Sequence, residues 1–125
     1  MRVLYVDDDP DIRRIALLSL QLDAGLDVRT AASGEETTVL LREGGWMPDA
    51  LLLDVAMPGM TGPEVHALVR AEPAWAGIAV VFVTASARDT DVAAYRASGV
   101  AGVIIKPFDP VELAGRVRAI VGGRS

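Results

Sequence analysis

Lys106 is the only lysine in a chain whose other eleven basic side chains are all arginine. It closes the apolar stretch Val100 to Ile105 and opens a Lys-Pro-Phe run. The planar guanidinium fork of arginine is no substitute for a compact ammonium, so a lone lysine among arginines marks a position where a point charge is needed. The acids are also placed distinctively. Asp7-Asp8 follow the apolar run Val3–Val6, Asp54 follows Leu51-Leu52-Leu53, and the hydroxyl of Thr84 follows Val80-Val81-Phe82-Val83. Brought into one cleft, three carboxylates repel, and at least one pKa rises unless a cation intervenes. Mg²⁺ suits such an all-oxygen site, where it takes one or two carboxylates, keeps several waters and accepts phosphate oxygens.

Whether these groups meet depends on the elements that carry them. Short apolar runs alternate five times with segments of helical period, which reads as an α/β fold, a parallel sheet with helices on both faces. Strands are expected near 2–6, 27–31, 49–54, 78–83 and 100–105, and helices near 10–23, 34–43, 63–72, 89–98 and 110–121. The third and fourth strand runs do not alternate with polar residues, as expected of strands covered on both faces. Asp9-Pro10 and Asp109-Pro110 each place an N-cap acceptor before a proline at the first helical position. Ser33 to Glu36 and Asp109 to Glu112 fit capping boxes. In an open parallel sheet all carboxyl ends lie on one edge, so Asp7-Asp8, Asp54, Thr84 and Lys106 converge there although remote in sequence.

Composition bounds the rest. A chain of 125 residues with 51% apolar side chains and 5% aromatics is one domain with a core of Val, Leu, Ile and Ala. There is no cysteine, and no apolar run approaches a membrane span, so a cytoplasmic protein with no membrane partner is expected. The net charge of −5 argues against nucleic-acid binding through this domain, since that attraction rests on Lys and Arg contacts to phosphate. Asp9 reads as a helix cap, His66 as structural or exposed, and Trp46 and Trp75 as lids on the core.

The motifs Val6-Asp7-Asp8-Asp9-Pro10, Leu53-Asp54-Val55-Ala56-Met57-Pro58-Gly59-Met60-Thr61-Gly62, Val83-Thr84-Ala85 and Lys106-Pro107-Phe108 resemble those of the receiver domain of two-component response regulators, in the family's order and spacing. The resemblance covers nearly the whole chain. It implies a flavodoxin-like five-stranded parallel sheet of order 2-1-3-4-5, with 1–121 as the receiver domain and 122–125 as a short tail. It also implies Mg²⁺ held by Asp8, Asp54 and the backbone carbonyl of Ala56, with Asp7 acting mainly through water. By the same resemblance Asp54 is the phosphoacceptor that becomes an aspartyl phosphate, and Lys106 neutralises charge on the moving phosphoryl group. Thr84 would swing its hydroxyl to a phosphate oxygen and the backbone of Ala85 would face the phosphate. The implied partners are a sensor histidine kinase or histidine phosphotransfer protein as donor and a downstream protein target.

Two departures from the family pattern stand out. Val103 lies where many receivers carry Tyr or Phe, three residues before the lysine, and Thr61 lies where Asp is frequent. Only Gly122-Gly123-Arg124-Ser125 follow Val121, so a stand-alone receiver is expected, with a receiver fragment of a larger transcriptional regulator as the alternative. An aspartate-nucleophile phosphatase is the rival from the enzyme class. Asp7-x-Asp9 meets its spacing formally, but Pro10 follows at once and no segment is available for a cap domain. A pseudo-receiver that is never phosphorylated is opposed by the complete acid set.

Overall fold

The structure, a computed structural model, describes residues 1–123. Five strands, β1 (Arg2–Val6), β2 (Asp27–Ala31), β3 (Ala50–Asp54), β4 (Ala79–Thr84) and β5 (Gly102–Ile105), form one sheet in the order β2-β1-β3-β4-β5. Every pairing is parallel. The connecting helices are α1 (Pro10–Gln21), α2 (Gly34–Glu43), α3 (Gly62–Ala71), α4 (Asp89–Ala97) and α5 (Leu113–Gly122), with a 3₁₀ turn at Pro73–Trp75.

The two faces of the sheet follow from the alternation of side chains along each strand. Val3, Tyr5, Leu52, Val81, Val83 and Ile104 pack with Ala16 and Leu20 of α1 and Leu113, Ala114 and Val117 of α5. Leu4, Val6, Leu51, Leu53, Val80 and Phe82 pack on the opposite face with Leu41 of α2 and Val65 and Val69 of α3. Trp46 and Trp75 are buried in this second layer, as expected of lids on the core. The fourth helix is different. It buries none of its side chains, and Tyr95 reaches the core only in part, setting its ring edge-on to Phe82 at 5.5 Å.

Helix starts follow local chemistry. Asp9 caps α1, its Oδ1 accepting the N–H of Asp11 at 2.9 Å and of Ile12 at 3.4 Å. Ser33 caps α2 by accepting the N–H of Glu36, while the Glu36 carboxylate takes the N–H of Ala32 rather than closing a reciprocal box. The full capping box sits at α3, where Thr61 Oγ1 accepts from Glu64 N–H and Glu64 Oε1 accepts from Thr61 N–H. The box expected from Asp109 to Glu112 is absent, and α5 begins at Leu113 rather than at 110. Asp109 instead builds a turn, its Oδ1 accepting from Val111 N–H at 2.9 Å and its carbonyl from Glu112 and Leu113. At the far end α5 runs one residue past 121, and Arg124 and Ser125 of the expected tail lie outside the described residues.

Gly62 sets how closely α3 can approach the sheet. A Cβ there would stand 2.7 Å from the carbonyl oxygen of Asp54, so only glycine lets the start of α3 come this near the end of β3.

Candidate functional site

Continuation of the strand ladders fixes the backbone of the site. Asp7 N–H donates to Ala31 O at 3.2 Å, Val55 N–H to Val83 O at 3.0 Å and Lys106 N–H to Thr84 O at 2.7 Å. The carboxyl ends of β1, β3, β4 and β5 therefore stand side by side; Asp7, Asp8, Asp54 and Lys106 come together there, while Thr84 lies at the same edge with its hydroxyl on Ser86.

Asp7 is fully buried, and each of its oxygens has a donor. Oδ2 accepts from the Tyr5 hydroxyl at 3.0 Å and from Lys106 Nζ at 2.8 Å, and Oδ1 accepts from Asp9 N–H at 3.0 Å. Its backbone carbonyl takes a hydrogen bond from Arg13 at 2.9 Å. Lys106 Nζ also stands 3.2 Å from Asp54 Oδ1, so one ammonium bridges two buried carboxylates. Asp8 faces solvent beside them. Asp7, Asp8 and Asp54 each offer an oxygen within 4.8 Å of the other two, a spacing one ion can span. The peptide bond from Lys106 to Pro107 is cis.

The electrostatics follow from this geometry. Burial, reinforced by the charge of Asp7, pushes Asp54 up to about 6, while the charge and hydrogen bond of Lys106 and the backbone amide of Ala56 oppose the rise. Burial pulls the Lys106 ammonium down, but the hydrogen bond to Asp7 and the charges of Asp54 and Asp7 outweigh it and leave the pKa raised. Burial and the neighbouring Asp7 charge raise the Tyr5 phenol, so it stays a neutral donor. Three carboxylates against one ammonium leave unbalanced negative charge, and a divalent cation among the oxygens would offset it. The donor set, all oxygen, fits Mg²⁺.

Thr84 is buried at the end of β4, and its Oγ1 accepts from Ser86 N–H at 3.0 Å. Ser86 Oγ in turn donates to Asp91 Oδ2 at 2.6 Å, and Arg88 binds the same oxygen through Nε at 3.1 Å and through a terminal nitrogen at 3.0 Å. The Ser86 hydrogen bond and then Arg88 lower the pKa of Asp91. Ala85 is exposed and lies with Lys106, Pro107, Phe108, Ile12 and Ile15 around an apolar groove of about 440 Å³ beside the acids. Ala56 is exposed in the turn after β3. His66 is buried elsewhere, edge-on to Phe82 at 5.6 Å, with Nε2 unpaired.

Sequence reasoning missed the Tyr5 hydroxyl and the Ser86–Asp91 contact. The first was within reach, because Tyr5 and Asp7 are two apart on a strand and so share a face. No pattern in the sequence points to the second, which depends on how the loop after β4 turns.

Comparison with known proteins agrees with this geometry. The sequence model described as response regulator receiver domain matches residues 3–118. The DNA-binding response regulator MtrA of Mycolicibacterium smegmatis is 36% identical over 118 residues, covering 94% of this chain and 49% of that protein. The chain thus spans about half the length of the MtrA relatives it matches. A 14.6 kDa protein of Leptolyngbya boryana is 39% identical over 113 residues, 90% of this chain and 84% of that one. Among solved structures, the chemotaxis response regulator CheY4 of Vibrio cholerae superposes with a TM-score of 0.82 at 33% identity, covering 95% of this chain and 97% of that one.

Proposed function

The chain belongs to the response regulator receiver domain family, and from that premise we propose that Asp54 accepts a phosphoryl group from a phosphohistidine on a partner protein and that the product switches partner binding. The observation that carries this reading is the bridging of Asp7 and Asp54 by the sole lysine, at 2.8 and 3.2 Å. A carboxylate oxygen of Asp54 attacks phosphorus; the new O–P bond forms as the P–N bond breaks, and that bond's electron pair stays on the imidazole nitrogen. Lys106 is already within reach of oxygens that would stand on Asp54, so its ammonium neutralises charge on the group in transit. Thr84 turns its hydroxyl from Ser86 to a phosphoryl oxygen, and the Ala85 backbone faces the same group. The small side chain at 85 leaves the phosphorus open to approach. Mg²⁺, when held by Asp8, Asp54 and the Ala56 carbonyl, with Asp7 acting through water, supplies further neutralisation of the phosphoryl oxygens. On this reading the domain is no general enzyme and promotes only its own phosphorylation and dephosphorylation.

The donor class is a sensor histidine kinase or a histidine phosphotransfer protein, and the readout is a downstream protein. A second reading, that the chain is the receiver part of a longer transcriptional regulator, is favoured by its matching only 49% of MtrA. The length of the native reading frame decides between them. The test of the central reading is phosphorylation from acetyl phosphate or a phosphohistidine donor with Mg²⁺, followed by mapping of the modified residue. Label on Asp54 that disappears in Asp54→Ala is expected. Stable label in that variant, or none in the native chain from either donor, overturns the assignment.

A further inference from the structure

Tyr5 carries a polar group into a place that does not need one. Its ring fills the α1/α5 side of the sheet among Val3, Leu52 and Val81, where an apolar side chain would bury equally well. A buried hydroxyl costs stability unless it is paired. Here it is paired, and with the acid that holds Lys106: Tyr5 OH donates to Asp7 Oδ2 at 3.0 Å, the same oxygen that Lys106 Nζ contacts at 2.8 Å. The direction of the phenol is set by its ring, which meets Phe108 edge-on, centroids 6.4 Å apart. Phe108 lies two residues beyond Lys106, so the tyrosine touches both the carboxylate that binds the ammonium and the loop that carries it.

From this arrangement we infer that Tyr5 is a positioning residue for phosphoryl acceptance: its hydroxyl occupies part of Asp7 Oδ2 and so keeps Lys106 shared between Asp7 and Asp54. The inference rests on the reading of Asp54 as the acceptor. Asp7 has donors from three segments, the body of β1, the turn before α1 and the end of β5, which fix its orientation. Removal of the phenolic donor leaves Asp7 with more uncompensated charge and a freer rotation. Asp7 then draws the ammonium more strongly, and Lys106 is less available to a phosphoryl group on Asp54. The phenol touches none of the direct metal ligands Asp8, Asp54 and Ala56, and Asp7 acts on the metal only through water, so the loss falls chiefly on the phosphorylation rate at saturating Mg²⁺ and far less on the Mg²⁺ concentration required.

Tyr5→Phe tests this, because it keeps the ring, the core packing and the Phe108 contact. Phosphorylation from acetyl phosphate should reach a ceiling about five-fold lower than in the native chain, the size of one ordinary hydrogen bond. Half-saturation by Mg²⁺ should change less than about two-fold on the same scale. The single lysine provides a second readout. Labelling lysine with ¹³C at Cε gives one side-chain resonance, and Tyr5→Phe should shift it in the metal-free protein. A native ceiling, an unshifted lysine resonance, or a loss that disappears at raised Mg²⁺ each overturns the inference. The acceptor assignment fails separately: a native chain that takes no phosphate on Asp54 refutes it, while the lysine resonance still reports whether the phenol governs Lys106.

Discussion

At the scale of single residues, Lys106 and Asp54 make the sharpest claims. The ammonium fits a space bounded by Asp7 and Asp54 with a side chain only 15% exposed. A guanidinium is broader and planar, so Lys106→Arg should keep the charge and still lose most of the phosphorylation rate. Rates equal to the native chain in that variant would show that charge alone is sufficient. Asp54, held up to about 6 mainly by burial, gives a pH dependence with a definite sign. Between the ordinary carboxylate range and about 6 the folded chain retains a proton that the unfolded chain has lost, so this group's contribution to stability is present at low pH and is lost as pH rises through about 6. Relative to Asp54→Asn, the metal-free native chain should lose melting temperature between pH 5 and pH 7, and parallel pH profiles of the two proteins would refute this. His66, its pKa lowered by burial and then by the charge of Arg70, acts in the same window with the opposite sign, so the share of Asp54 is read as the difference between the two proteins, while Asp23, lowered to about 2 by its hydrogen bond to Arg118, acts in a lower window.

Among the elements, α4 is the least anchored to the core. It buries no side chain, its N-cap Arg88 makes no side-chain cap, and its first turn is held through Asp91 by Ser86 and Arg88. Thr84 Oγ1 anchors Ser86, so the proposed turn of that hydroxyl toward a phosphoryl group would release the loop that tethers the helix. Val103 is buried on β5 opposite Phe82 and has no ring to swing, while the aromatic contact in this region joins β4 to α4 through Phe82 and Tyr95. Amide exchange with and without beryllofluoride should therefore change over residues 85–91 and little over 100–105; the reverse pattern would refute this route. The elements themselves are largely legible in the sequence. Strands at 2–6 and 27–31 and the helix at 34–43 match to the residue, because the buried run of β1, the exposed and half-buried alternation along β2 and the Ser33 cap leave little choice. Asp109-Pro110 misleads because the same Asp acceptor that caps a helix also closes a turn. The Thr61–Glu64 box has the right spacing to be read, but Thr61 stands out first as a departure from the family pattern, which hides its capping role. The convergence of Asp7, Asp8, Asp54, Thr84 and Lys106 is legible because parallel strands force it. The partners of Tyr5 and Ser86 are not, because periodicity assigns a side to each residue and does not name its neighbour.

For the whole molecule, the proposed Mg²⁺ site would couple folding to metal. Asp8 stands among like charges, so Asp8→Asn should raise the melting temperature without metal while weakening Mg²⁺ binding. A ligand at a hundred times its Kd stabilises the native state by about 2.7 kcal/mol, roughly 10 °C for a domain of this size. The native chain should show a shift of that order in Mg²⁺ and Asp8→Asn less than half of it, as followed by thermal melts. Equal shifts would show that Asp8 is not a ligand. Among the described residues no helix is long and apolar enough to cross a membrane. The solitary lysine has a practical side as well. Amine-directed reagents find only two targets in the chain, the N-terminal amine and Lys106, and the second is the cation of the acid pocket. A dye, resin or crosslinker attached at the side-chain amine would thus remove the cation that Asp7 and Asp54 share, and report on a pocket that its own attachment had altered.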